Sequence, residues 1–304
     1  MTPKRITIVA TDYPELEKYC PNWHGMKAGL TRMGIPYQFI SCRPSLDVGA
    51  IMAYQPDLVV YALKDMVLHP EWRREIRAGL PDAKIVMWYG DLRNEKTGQV
   101  QADCREMDAM FVSNDAQEKF YQTLWRMKKV HYLPLGCEPL KVPKLSKMFG
   151  FPFVFIGGQI SEGAFHARAS MIENFRLKAG LTLVNSFEPK MRARIFQEMP
   201  AIYSNSKVCL DVSHFTDIKG YTSIRFFEIP AMFGFALTKR FPGCEELYPE
   251  GTRVYFDTFE EAVEKKNYYL THEKERAAIV EAGHKHSYQH TYDKRFRQMF
   301  ELLT

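Results

Sequence analysis

The 304-residue chain reads as an α/β protein of two Rossmann-like domains. Three observations predict this. Apolar runs of four to six residues alternate with longer amphipathic stretches through both halves of the sequence. The runs lack period-two alternation, as strands buried on both faces do. A single dense cluster of prolines and glycines interrupts the pattern near the middle.

Residues 5–10 (RITIVA) form the first expected strand, and 23–33 the first helix, stopped by Gly34. Strands follow at 37–40, 57–62, 84–88 and 109–112, with helices at 71–78 and 116–127 among them. Strand–helix alternation at this cadence implies a parallel, doubly wound sheet. Between 130 and 152 stand Pro134, Pro139, Pro143 and Pro152 with Gly136 and Gly150, which marks a hinge. A second series opens with the strand 153–156, ending on Gly157-Gly158, and continues with strands at 181–184, 208–212, 235–238 and 253–256. Helices are expected at 168–178, 190–197, 223–232, 258–270 and 272–282. The domains are therefore 1–147 and 148–304, with the last helix expected to return to the first. Ligands of such sheets bind at the carboxyl ends of the strands, so the cleft between domains is the default site.

Composition narrows the function. Forty-one basic against 36 acidic residues leave a net charge of +5, too mild to define a nucleic-acid binder. No stretch approaches the roughly 20 apolar residues of a membrane span, and the first ten residues are too short an apolar lead for a signal peptide. A soluble, cytoplasmic protein is expected. Six cysteines, the closest pair 22 positions apart, include no Cys-x-x-Cys and read as separate thiols of a reduced interior.

Most of the familiar catalytic motifs are missing from the sequence. There is no Gly-x-Gly-x-x-Gly, no Gly-x-Ser-x-Gly and no Asp-x-Asp. Gly158 and Gly163 have P-loop spacing, but Ala164 and Phe165 stand where Lys and Ser/Thr must be. His272-Glu273 begins like a zincin, but Arg276 replaces the second histidine. His286 and His290 are four apart, yet His284, Lys285, Lys294 and Arg295 crowd them with positive charge. A solvated basic face is the better reading, and no metal site is assigned.

The informative run is 220–238, GYTSIRFFEIPAMFGFALT. Thr222 and Ser223 are N-cap candidates for a helix whose free N–H groups would seat a phosphate. Arg225 adds a planar guanidinium suited to phosphate oxygens, and Glu228, three residues on, an acceptor suited to sugar hydroxyls. The plain alternative is a surface ion pair. Tyr221 and the Gly157-Gly158 turn complete the candidate donor-binding set.

This run resembles the signature of GT-B glycosyltransferases of the family-1-like, spore-maturation-protein-like type, Ser223-x-Arg225-x-Phe227-Glu228 followed by Ala231, Gly234 and Leu237-Thr238. The likeness continues through Pro242-Gly243-Cys244-Glu245-Glu246-Leu247-Tyr248 and His290-Thr291-Tyr292 with Arg295, and reaches back to Gly157-Gly158 and Leu133-Pro134-Leu135-Gly136. It implies a GT-B fold and transfer of a hexosyl or pentosyl group from a nucleotide-diphosphate sugar, UDP-sugar favoured, to an acceptor hydroxyl. It implies no cofactor and no metal. The acceptor would lie on the N-terminal domain and the donor on the C-terminal one. Two positions depart from the pattern. Gly220 stands where many GT-B enzymes carry a second glutamate, and Phe233 replaces a small residue, suggesting a reshaped wall near the donor.

Transfer needs a base for the acceptor proton. Asp91, ending the run KIVMWYGD, ranks first, then His24 at a helix start, then Asp12 after the first strand. A turn or capping role is the competing reading for each. The acceptor is open: small molecule, glycan, protein, or a hydroxymethylated DNA base of the kind bacteriophage enzymes glycosylate. DNA is suggested by a net +4 over 1–150 and by six basic residues within 126–147. Trp23, Trp88 or Tyr89 could then stack where a base is flipped out. A sugar-nucleotide epimerase and a non-catalytic binding module are the rival functions.

Overall fold

The computed structural model describes residues 2–10, 20–42, 45–63, 70–89, 107–124, 129–158, 166–185 and 189–304. Of the described residues, 2–10, 22–135 and 292–304 form one compact unit, and 20–21 with 136–291 a second. Residues 136–147, expected with the first domain, pack in the second: Cys137 N–H donates to His290 O (2.9 Å) and Leu140 N–H to Ala231 O (3.0 Å).

In the first unit the strands are β1 (Ile6–Ala10), β2 (Tyr37–Ser41), β3 (Leu58–Leu63), β4 (Lys84–Tyr89), β5 (Ala109–Val112) and β6 (Val130–Tyr132). They form one parallel sheet in the order β2-β1-β3-β4-β5-β6. Parallel neighbours need crossovers, supplied here by α1 (Pro21–Arg32), α2 (Val48–Tyr54), α3 (Pro70–Gly79) and α4 (Asp115–Leu124). Residues two apart share a face: Val59 with Tyr61, Ile85 with Met87 and Met110 with Val112 all enter one core with Ile51, Ile76 and Tyr121 of the helices. This two-sided burial is why the strand sequences read as continuous apolar runs.

The terminal helix, α11 (Tyr292–Leu302), belongs to this unit. Tyr292 Oη donates to Asn22 Oδ1 at 2.8 Å, and Tyr292 and Phe296 each meet Trp88 edge-on at 6.0 Å. Glycine at position 25 permits the approach, since a Cβ there would lie 2.4 Å from the Tyr292 ring. Trp88 also donates to Leu133 O, and Trp23 packs edge-on against Phe39. Both tryptophans are at most 3% exposed. They are core residues, not the free aromatic wedges expected for a flipped base. The side chain of Tyr89 lies outside the described residues.

The second unit holds β7 (Phe153–Ile156), β8 (Thr182–Val184), β9 (Val208–Asp211), β10 (Ala236–Lys239) and β11 (Val254–Phe256). Its helices are α5 (His166–Ala179), α6 (Pro189–Asn205), α7 (Arg225–Ala231), α8 (Cys244–Leu247), α9 (Phe259–Thr271) and α10 (Glu273–Ser287). Pairing is parallel in the order β11-β10-β9-β7-β8. Phe153 and Phe155 face Ile172 and Phe175 of α5, while Val154 and Ile156 face Met199, Ile202 and Tyr203 of α6. From β7 the chain steps one way to β8, then returns to the other side for β9. The order therefore reverses between β7 and β9, and the loops leaving their carboxyl ends diverge around a crevice.

Cys20, Cys42, Cys137, Cys209 and Cys244 are free and buried, and burial pushes the Cys209 thiol well up. Cys104 lies outside the described residues. Among those residues, no helix is long and apolar enough to cross a membrane.

Candidate functional site

The donor-side residues converge on the β7/β9 reversal. β7 ends on Ile156, and Gly157 follows with a hydrogen as its side chain. A Cβ there would sit 2.8 Å from Arg225 Nη1, so glycine is what admits the guanidinium. Arg225 is 8% exposed. Its Nη1 donates to Ile156 O (3.4 Å) and its Nη2 to Val212 O (3.1 Å), which bridges the ends of β7 and β9. The group lies 4.7 Å from the Phe155 ring centroid. Arg168, from α5, comes within 5.9 Å of the same ring and donates to Gly158 O at 2.6 Å. Two guanidiniums thus flank one aromatic ring at the carboxyl end of the sheet, each held by a backbone carbonyl.

Beneath them sits a residue the sequence reading missed. Asp211, the last residue of β9, is 1% exposed. Its carboxylate lies 3.4 Å from Arg253 Nη1 and 4.0 Å from Arg225 Nε, and accepts from Ser223 Oγ (3.3 Å) and Thr238 Oγ1 (3.4 Å). Burial pushes this carboxyl up, while the Arg253 and Arg225 charges pull it down. Burial is the larger effect, so the carboxyl is raised overall although two guanidiniums stand beside it. Arg253 is sandwiched by aromatics, 3.7 Å from the Phe226 centroid and 4.2 Å from that of Tyr248, and donates to Phe226 O. Asp211 and Arg253 are 42 residues apart, Arg168 lies 57 residues before Arg225, and His214 lies 11 before it, outside its run. No local pattern marks such partners.

The expected N-cap is not formed. The helix α7 begins at Arg225, its cap position is Ile224, and no side chain caps it. Asp211 engages the Ser223 hydroxyl instead, while Ser223 N–H donates to Ser213 Oγ at 2.9 Å. A buried carboxylate has outcompeted the helix end for that hydroxyl. Thr222 Oγ1 is buried with no hydrogen-bond partner among the described residues. Tyr221 is buried and meets Phe215 edge-on at 5.2 Å. All seven residues of α7 are buried, Glu228 at 2% exposure, so Arg225 and Glu228 are no surface ion pair. The Tyr203 phenol is raised first by burial and then by the Glu228 charge.

His214 lies in the loop after β9. Burial, then the charges of Arg168 and Arg225, lower its pKa to about 3, so the imidazole is neutral at physiological pH. A histidine normally titrates near 6.5, and here the unfolded chain binds a proton that the folded one refuses. Stability is therefore present above pH 6.5 and is lost as pH falls towards 3. The expected slope from this group approaches 1.4 kcal/mol per pH unit. Urea titrations between pH 4 and 7 should show the wild type losing stability faster than His214→Gln; parallel curves would contradict a neutral His214.

Other expectations change place. Phe233, thought to shape the donor wall, has φ of 58° and stacks on His284 at 3.7 Å. It lines a cavity of about 340 Å³ with Lys207, Phe235 and Arg276, by the amino ends of β9 and β10, opposite the carboxyl-end crevice. His286 and His290 form neither a metal pair nor a solvated face: each Nε2 lies 2.8 Å from Leu247 O, and Tyr248 packs on both rings. Of the candidate bases, His24 is on the exposed side of α1, opposite Trp23 and Met26. Asp12 and Asp91 lie outside the described residues.

Residues 179–301 match a family model described as glycosyl transferase-like. Among solved structures, the chain resembles Anabaena HepE in complex with UDP and glucose, at a TM-score of 0.60 and 10% identity over 98% of this chain and 99% of that one. A glycosyltransferase from Rickettsia africae gives 0.59 at 12% identity, covering 100% and 98%. A sucrose-phosphate synthase from Thermosynechococcus elongatus gives 0.59 at 13%, covering 98% of each chain. No curated protein matches. The fold is GT-B.

Proposed function

We propose that this protein is a glycosyltransferase that moves a sugar from a nucleotide-diphosphate sugar, UDP-sugar favoured, to an acceptor hydroxyl. The carrying observation is the pair Arg168 and Arg225 flanking Phe155 at the β7/β9 reversal, beside the Gly157-Gly158 turn. A diphosphate brought there meets fixed positive charge and short backbone. Those guanidiniums would stabilise the charge that develops on the departing nucleoside diphosphate, the work a metal does in other enzymes. Anabaena HepE forms complexes with UDP and glucose and with UDP-glucose, which supports a UDP-sugar donor here.

Gly220, at the second-glutamate position, has φ of 73°. The backbone itself is left-handed there, a conformation that suits glycine, so the departure is one of loop path as well as of side chain. Glu228 is then the carboxylate of this motif available for the nucleoside. As base we rank Asp91 ahead of His24 and Asp12.

Thermal unfolding with a panel of nucleoside diphosphates tests the donor. Saturation with UDP at 100 times Kd should add about 2.7 kcal/mol. UDP-sugar turnover, by hydrolysis or transfer, separates an enzyme from a binding module. Asp91→Asn should lower turnover about 100-fold or more with UDP affinity kept. Turnover lost in His24→Ala and kept in Asp91→Asn would reverse the ranking. EDTA is expected to leave turnover unchanged.

A further inference from the structure

Between Leu140 and Phe149, both packed against the core of the second unit, the chain runs without regular secondary structure across the outside. It is pinned in mid-course to the end of α6. Lys144 N–H donates to Ser204 Oγ (3.2 Å), Ser146 N–H to Asn205 Oδ1 (3.0 Å), and Asn205 Nδ2 to Lys144 O (2.7 Å). Fixed at both ends and in the middle, the strap presents what soluble surfaces usually hide. Val142 is 69% exposed, Leu145 83% and Met148 77%. Each follows a lysine: Lys141-Val142, Lys144-Leu145, Lys147-Met148. All three lysines are exposed, and none is ion-paired among the described residues. No acidic residue occurs from 139 to 151, and the exposed Lys207 adjoins the end of the strap, its N–H donating to Phe151 O at 2.9 Å.

We propose that this strap is a reversible docking surface for an anionic lipid bilayer. The repeat supplies both halves of interfacial binding. Ammonium groups meet headgroup phosphates, and the apolar side chain beside each enters the boundary below them. The lysine stems are apolar and the heads charged, so each can reach the phosphate plane while its neighbour inserts. A nucleic-acid backbone would satisfy the lysines but leave Val142, Leu145 and Met148 in water, so the exposed apolar residues favour lipid. The strap lies on the bilayer and does not span it.

The test is flotation of the full chain with vesicles of phosphatidylcholine alone and with about 30 mole per cent phosphatidylserine, at low salt. Binding is expected to the anionic vesicles only. Each lysine near such a surface is worth roughly fivefold, so Lys141→Glu/Lys144→Glu/Lys147→Glu should lower affinity about 100-fold or more. Val142→Ser/Leu145→Ser/Met148→Ser should also lose most binding while keeping every charge. All these side chains are exposed, and unchanged melting temperatures would confirm that both variants fold. Equal binding to neutral vesicles, no binding to either, or wild-type binding by the serine variant would overturn the proposal. So would a duplex-DNA gel shift lost in the glutamate variant and kept in the serine variant, which would assign the strap to nucleic acid.

Discussion

Asp211→Ala is expected to lower the free energy of unfolding by about 3–5 kcal/mol, the range for removing one partner of a buried ion pair. The carboxylate stands between Arg253 and Arg225, and the Arg253 side chain is 0% exposed. Without Asp211, Arg253 keeps the Phe226 carbonyl and two aromatic faces but faces no opposite charge in the cluster. Ser223 and Thr238 would lose their acceptor as well. Asp211→Asn keeps the shape and an acceptor oxygen while losing the charge, so it should fall between the two. Urea denaturation of the three proteins at pH 7 is the measurement. A loss under about 1 kcal/mol for the alanine variant would mean that carbonyls and ring stacking hold the arginines unaided.

The fold was legible because its cause is local. A strand buried on both faces must be apolar at nearly every position, and 153–156, 208–211 and 109–112 are. Helix 292–302 is anticipated only through the family resemblance, and its partners Asn22 and Trp88, hundreds of residues away, are set by packing. The site divides the same way. Gly157, Arg225 and Glu228 stood out because they lie in one ordered run or end one strand. Asp211, Arg253, Arg168 and His214 did not, since each acquires its role only when the sheet β11-β10-β9-β7 is assembled. The same cause undid the helix cap. Ser223 next to a helix start has every local reason to cap it, until a buried Asp211 arrives from 12 residues upstream and takes the hydroxyl. Trp88 shows the reverse error: an aromatic at a strand end reads as available, and the terminal helix covers it.

Arg225→Ala is expected to weaken UDP binding by about 1.5–3 kcal/mol, the range for hydrogen bonds to charged groups, which is roughly 10- to 150-fold in Kd. The effect has two sources, and a second variant separates them. Arg225 is itself part of the scaffold, since its two terminal nitrogens join Ile156 O to Val212 O across the β7/β9 reversal. Arg225→Lys keeps the charge but has no planar fork to reach both carbonyls. If the charge alone matters to the diphosphate, lysine should recover most of the affinity; if the bridge between the strands matters, lysine should bind nearly as poorly as alanine. Arg168→Ala is the companion, because that guanidinium flanks the same ring from α5 and donates to Gly158 O in the turn. It should weaken UDP by a similar factor at smaller cost to stability, as the buried Asp211 cluster stays whole. Calorimetric titration with UDP, uridine and pyrophosphate reads the distinction directly: both alanine variants should lose affinity for UDP and pyrophosphate, and neither should lose affinity for uridine. Should both bind UDP as the wild type does, while melting normally, the donor does not sit at the β7/β9 reversal.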